Sequence, residues 1–155
     1  MVNLCSDVLS ALGSGGKTLA TAESLTGGGI GAALTSVPGA SSVYKGGIIS
    51  YTDQVKNQVL GVPMEILECH GAVSELAAKA MVSGVRKLLK ADVAVSVTGL
   101  AGPGGDEFGH SVGTVFIGYE DQISASVVEC HFDGNRDDIR DQTVRTALDL
   151  ILKHL

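Results

Sequence analysis

Two periods of hydrophobic spacing run through the chain. Leu4, Val8, Leu9 and Leu12 fall at helical spacing, and Gly13 ends that segment. Lys17 to Ala22 is short, partly apolar and reads as extended. Residues 27–37 form a run of small residues stopped by Pro38, which predicts a compact helix. Tyr44 to Tyr51 predicts a strand centred on Ile48 and Ile49. Asp53 stands where a helix cap is expected, with the helix running to Leu60 and closed by Gly61, and Pro63 opens a short helix to Cys69. Ser74 is placed to cap a longer helix ending at Leu89, with Leu76, Ala77, Ala80, Met81, Gly84, Val85, Leu88 and Leu89 as its expected apolar face. Val93 to Val97 is interrupted only by Ser96, the signature of a strand covered on both sides. Val112 to Tyr119 and Ile123 to Phe132 predict an antiparallel hairpin turning at Glu120-Asp121-Gln122. Asn135 to Leu152 closes the chain as an amphipathic helix, with Ile139, Val144, Leu148 and Ile151 facing inward. Helices alternate with strands except at the hairpin. That order predicts an α/β fold, a three-layer α/β/α arrangement around a mixed, largely parallel sheet. Without repeats or a linker, residues 1–155 read as one domain.

Composition narrows the classes of function. The chain is 45% hydrophobic and 18% charged with a net charge of −6, which suits a packed core and gives no block of cations for a nucleic-acid backbone. Nucleic acid is therefore not an expected partner. No stretch approaches the roughly 20 apolar residues of a membrane span, so no membrane association is expected. Cys5, Cys69 and Cys130 are odd in number, widely spaced and lack a C-x-x-C pair, which fits a reducing cytoplasm. His70, His110, His131 and His154 show no ligand spacing, and no metal or other cofactor is expected.

There are 21 glycines, clustered at 13–16, 27–31 and 99–105. Two clusters imitate nucleotide motifs. Gly16-Lys17-Thr18 looks like the end of a P-loop, but the first glycine is missing (Ala11 stands there) and the segment leaves a helix rather than opening one. Gly27 to Ala32 fits a loose G-x-G-x-x-A, yet the nearest acidic partner, Asp53, lies too far along for a dinucleotide fold.

Chemistry concentrates in three segments at predicted strand ends, where open α/β sheets gather ligands. Thr21-Ala22-Glu23-Ser24-Leu25-Thr26-Gly27-Gly28 sets a serine between strand and helix, either as a nucleophile with nearby backbone N–H donors or as a helix cap. Tyr51-Thr52-Asp53-Gln54-Val55-Lys56 carries a lysine that could take a serine proton if burial lowered its pKa, or that could simply be solvated. Thr98-Gly99-Leu100-Ala101-Gly102-Pro103-Gly104-Gly105 reads as a backbone cradle for an anion or polar ring, or as a turn. Arg136 and Arg140, four apart on the last helix, would repel unless an anion or Asp137 and Asp141 neutralised them.

Taken together, A-E-S-x-T-G-G at 22–28, Tyr51 to Lys56, H-G-A-V-S at 70–74, T-G-x-A-G-P-G-G at 98–105 and Val112-Gly113-Thr114-Val115 resemble the C-terminal domain of the CinA family. That domain also occurs alone as nicotinamide-nucleotide amidohydrolase, and the likeness covers nearly the whole chain. The resemblance implies removal of ammonia from nicotinamide mononucleotide to give nicotinic acid mononucleotide. It implies Ser24 as nucleophile, assisted by Lys56 and Tyr51. Glu23, Thr26, Gly27, Gly28, Thr98, Gly99, Ala101, Gly102 and Gly104 are then expected around the substrate. Arg140 matches an arginine near the substrate, with Arg136 beside it, and which of the two holds the phosphate is left open. The resemblance also implies a homodimer, and a chain without the N-terminal domain of the longer members. Two departures stand out. Leu25 replaces a common cysteine, and Asp106-Glu107-Phe108-Gly109-His110-Ser111 replaces a segment that usually ends in a lysine-proline pair. The rival expectations are a non-catalytic nucleotide-binding or regulatory module of the same fold, linked to competence or DNA damage, and a dinucleotide-dependent oxidoreductase built on Gly27 to Ala32.

Overall fold

Residues 1–155 are described by a computed structural model of the protein. Five strands, β1 (Leu19–Glu23), β2 (Tyr44–Ile49), β3 (Val93–Gly99), β4 (Thr114–Glu120) and β5 (Ala125–His131), form one sheet in the order β2-β1-β3-β4-β5. β1 pairs in parallel with both β2 and β3, while β4 is antiparallel to β3 and to β5. The sheet is mixed, and only β4 runs against the other four strands. Helices α1 (Val2–Ser14), α2 (Gly29–Thr35) and α6 (Arg136–His154) cover one face. Helices α4 (Met64–Cys69) and α5 (Glu75–Leu89) cover the other, and α3 (Asp53–Gln58) follows β2.

Strand alternation sorts side chains by size between the two faces. Leu19, Val93, Val95, Val97, Val115, Ile117 and Tyr119 point to the three-helix side and meet Val8, Leu12, Ile30, Leu34, Ile139, Leu148 and Ile151. Ala20, Ala22, Ala94, Ser96 and Gly118 point the other way, toward α5. These small residues let α5 lie close to the sheet. A Cβ at Gly118 would press on the Ala78 carbonyl and Ser96 Oγ, and Ser96 Oγ donates to that same carbonyl at 2.7 Å.

The element order follows the hydrophobic pattern, with local corrections. α2 starts at Gly29, because Gly27 and Gly28 hold positive φ values of +59° and +101° and form a turn ahead of it. α3 is capped by Thr52, whose hydroxyl accepts from Val55 N–H, so Asp53 is its first residue and not its cap. Ser74 caps α5 as expected. Leu76 and Leu88, expected on the apolar face of α5, are 42% and 50% exposed, and Ala78 and Val82 are buried in their stead. The helix meets the sheet along a strip one residue round from the sequence pattern. Ile49 is exposed because β2 is an edge strand. All four inward residues expected of α6 are buried. No helix is long and apolar enough to cross a membrane, and all three cysteines are free thiols.

The order β2-β1-β3 creates a topological switch: the chain leaves β1 toward one neighbour and later returns on the other side. The carboxyl ends of the three parallel strands open a crevice there. Glu23 is in register with Ile49 and Val97, so Ser24, Ser50 and Thr98 emerge in one row.

The close seat of α5 gives a prediction. A Cβ at Gly84 would collide with the Leu60 carbonyl oxygen, a backbone atom that cannot step aside. Gly84→Ala should lower stability by about 1–3 kcal/mol through overpacking, whereas Leu88→Lys on the exposed side should stay within about 0.5 kcal/mol of wild type. Urea titration followed by circular dichroism distinguishes the two, and equal losses would contradict the packing described.

Candidate active site

Ser24 is the first residue past β1. Its N–H donates to the Val97 carbonyl of β3 at 3.1 Å, which locks the serine to the central strand. It is 7% exposed and caps no helix, because the N-cap of α2 is Gly28. Lys56 enters from the short helix α3 and is 1% exposed. Its Nζ donates to Ser24 Oγ at 3.0 Å and to the Ser50 carbonyl at 2.7 Å. Ser50 is itself held beside β1, its N–H donating to the Glu23 carbonyl at 2.8 Å. No carboxylate bonds to the amine. Burial therefore dominates and pulls the Lys56 pKa from 10.5 down to about 8, against a smaller opposing pull from Asp53.

This pair sits in a cavity of about 290 Å³, close to the lower end of the roughly 300–1,000 Å³ usual for small-molecule sites. Thr98, Gly99, Ala101, Gly102 and Gly104 line it, as expected of the cradle, and Tyr51 and Arg136 line its mouth. Thr98 Oγ1 donates to the Ala72 carbonyl at 2.8 Å, so it ties a second wall, Ala72 and Val73, to β3. The amide N–H groups of Ala101, Gly102 and Gly104 have no partner within the protein and remain free to donate. Arg136 straps the mouth: Nη1 donates to the Gly102 carbonyl at 2.7 Å and Nη2 to the Tyr51 hydroxyl at 3.2 Å. Tyr51 is 58% exposed and bonds to neither Ser24 nor Lys56.

Five residues expected around the substrate do not line this cavity: Glu23, Thr26, Gly27, Gly28 and Arg140. Glu23 lies on the α2 side of the sheet. Its buried carboxylate accepts from Thr26 Oγ1 at 2.6 Å, Ile30 N–H at 2.9 Å and Gly31 N–H at 3.0 Å. It thus fills the start of α2, the place where a dinucleotide pyrophosphate would have to dock, and the oxidoreductase reading loses its site. Gly27 and Gly28 supply the tight turn beneath Ser24. Arg140 donates to the Leu25 carbonyl from Nε at 3.0 Å and to the Thr26 carbonyl from Nη2 at 3.3 Å. Its contact with Asp137, 3.9 Å away and mostly solvated, adds little. Asp141 forms no ion pair with either arginine.

The Ser50 carbonyl was not singled out from sequence, and Ala72 and Val73 stood out only as part of H-G-A-V-S, with no place in the site assigned to them. Ser50 has a signal only in hindsight of register, and a carbonyl acceptor leaves no trace in residue type. No cluster of three or more histidine, cysteine or acidic side chains is arranged to hold a metal ion.

Comparison with known proteins agrees with the fold and the motifs. The family model described as the CinA C-terminal domain matches residues 2–155. A CinA-like protein of Parasynechococcus marenigrum (strain WH8102) is 44% identical over 155 residues, which is 99% of this chain and 37% of that protein. The chain spans between 27% and 37% of the length of the curated relatives it matches. Among solved structures, a competence-damaged protein (CinA) superfamily protein from Escherichia coli superposes with a TM-score of 0.98 at 34% identity, covering all of this chain and 91% of that one. The competence damage-inducible protein A of Klebsiella pneumoniae gives a TM-score of 0.96 at 36% identity, covering 98% and 94%. With fold, motifs and full-length match in agreement, the chain belongs to the CinA C-terminal domain family.

Proposed function

We propose that this domain is a serine amidase that hydrolyses the carboxamide of nicotinamide mononucleotide to nicotinic acid mononucleotide and ammonia, without a metal. The observation that carries the reading is the buried pair itself. The Lys56 amine lies 3.0 Å from Ser24 Oγ, and its pKa is brought down to about 8 inside a cavity lined by free backbone donors. An ordinary lysine stays protonated at neutral pH and cannot accept a proton. One poised near 8 is uncharged often enough to act as a base and recovers its proton in time to act as an acid.

In this mechanism uncharged Lys56 takes the Ser24 hydroxyl proton as Oγ bonds to the amide carbon. The carbonyl electron pair moves onto oxygen and is held by backbone N–H groups. The tetrahedral carbon then expels nitrogen, which leaves as ammonia with the proton from Lys56. Water attacks the ester, Lys56 takes a proton from it, and Ser24 regains its own. The pyridinium ring withdraws electrons from the amide, and that eases the first attack. In this reading Arg136 meets the phosphate, a role supported by its position at the mouth with only two of its five N–H donors engaged.

Two outcomes follow. Ser24→Ala should release no ammonia from nicotinamide mononucleotide at enzyme concentrations where wild type turns over. The wild-type rate should rise with pH and inflect near 8 as the Lys56 amine loses its proton, and Lys56→Arg should lose both rate and inflection. A folded wild-type protein that releases no ammonia contradicts the substrate, and a rate falling from pH 7 to 9 contradicts the base.

Stability carries the same signature. Between about 8 and 10.5 the folded chain has lost the Lys56 proton while the unfolded chain keeps it, so this group lowers stability fully below about 8 and ceases to do so as pH rises toward 10.5. Relative to Lys56→Met, wild type should gain up to about 3 kcal/mol across that window. A difference independent of pH would show that the amine is solvated.

A further inference from the structure

Hydrogen bonding in the turn after Ser24 is lopsided. Every carbonyl from Ser24 to Thr26 has a donor: Gly27 N–H meets the Ser24 carbonyl at 3.1 Å, Arg140 Nε the Leu25 carbonyl, and both Gly29 N–H and Arg140 Nη2 the Thr26 carbonyl. The N–H groups of Leu25 and Thr26 have no partner, although Leu25 is 4% and Thr26 2% exposed. Buried amide donors are seldom left unpaired. The Leu25 amide, on a residue that lines the cavity directly after Ser24, marks a place where a ligand atom completes the bonding.

In a trans peptide the C=O and the following N–H point in opposite directions. Fixing a carbonyl therefore fixes the N–H across the same plane. The Gly27 bond to the Ser24 carbonyl sets the Leu25 N–H. The Arg140 bond to the Leu25 carbonyl sets the Thr26 N–H, directing it away from the guanidinium. Gly27 is favoured by its φ of +59°, and a Cβ there would only touch Arg140 Nη2 at an ordinary 3.7 Å. Arg140 comes from a rigid support. A capping box, with Asn135 and Asp138 bonding reciprocally at 2.9 Å, fixes the start of α6, and buried Ile139, Thr143 and Val144 seat the helix against the sheet.

We infer that Arg140 is a positioning residue: by taking the carbonyls of Leu25 and Thr26 it fixes the nucleophile turn, so that the Leu25 amide, on a residue that lines the cavity, serves as an oxyanion donor. The inference rests on the amidase reading for its substrate, though not for its geometry. It separates the two arginines of α6. Arg136 lines the cavity, where the amidase reading has it meet substrate, whereas Arg140 lines no part of it and bonds the backbone of the turn. Lysine cannot replace Arg140, because one ammonium on a flexible stem does not reproduce the fork that spans two adjacent carbonyls.

The test compares Arg140→Ala, Arg140→Lys and Arg136→Ala with wild type. Folding is checked by thermal melting, and Arg140→Lys supplies a folded variant if the alanine form melts early. With nicotinamide mononucleotide, both Arg140 variants should lose about 10–100-fold in kcat, part of what one missing oxyanion donor removes. KM should change little, and the inflection near pH 8 should persist. Millimolar guanidinium should restore part of the Arg140→Ala rate. Arg136→Ala should instead raise KM. In parallel, a fluorophosphonate probe reads attack by Ser24 without any amide, with Ser24→Ala as the blank. Its rate should fall in the Arg140 variants, because the phosphoryl oxygen needs the same donors. If wild type reacts with the probe but releases no ammonia, the substrate assignment fails while the probe rates still decide the role of Arg140. Wild-type kcat and probe rate in Arg140→Ala, or a rise in KM alone, would overturn the inference.

Discussion

Lys56 holds an amine out of water with no carboxylate bonded to it, and the architecture of the site can be traced to that one energetic imposition. Its Nζ has two protein partners, Ser24 Oγ and the Ser50 carbonyl, both neutral acceptors. Neutral partners satisfy the hydrogens without strongly stabilising the charge, so desolvation prevails and the proton is loosely held. An ion pair in the same place would have kept the lysine charged and useless as a base. The burial comes from convergence: Ser24 and Ser50 leave adjacent parallel strands in register, and α3, directly after β2, brings Lys56 back over them.

The sheet supports this economically. Large side chains on the three-helix face build the main core, and small ones on the other face let α5 lie close, so the central strands are immobilised from both sides. Around the serine the supporting polar groups divide their tasks. Glu23 below binds the first N–H groups of α2, and Arg140 binds the carbonyl side of the turn. Both residues are charged and close in sequence or space to Ser24, yet neither lines the cavity. Charge on these two side chains near Ser24 is thus spent on holding backbone and not on lining the cavity.

Much of the fold was legible because periodicity reports one-sided burial directly. The long helix capped by Ser74, the hairpin and the inward face of α6 were all readable in this way. The misplacements have local causes. Leu76 and Leu88 fit a helical stripe, but α5 is seated through Ala77, Ala78, Met81, Val82 and Val85, which turns those leucines to solvent. Thr52 outcompetes Asp53 as cap because it is the residue with extended backbone at the helix start. At the candidate site, residue types singled out Ser24, Lys56 and the glycine loop, which the structure brings together around one cavity. Sequence could not decide whether Lys56 is buried, because α3 is only six residues long and its environment is entirely tertiary. Nor could it distinguish Arg136 from Arg140: the two differ only in which lies beside the cavity mouth and which beside the turn.

The most direct test of the dry amine is its own titration. With lysine labelled at the side chain and Lys56 assigned by comparison with Lys56→Met, nuclear magnetic resonance should show its amine losing its proton near pH 8. A Lys56 signal that titrates near the ordinary lysine value of 10.5 would mean that the amine is hydrated and charged at neutral pH, and the proton transfer from Ser24 would have no acceptor.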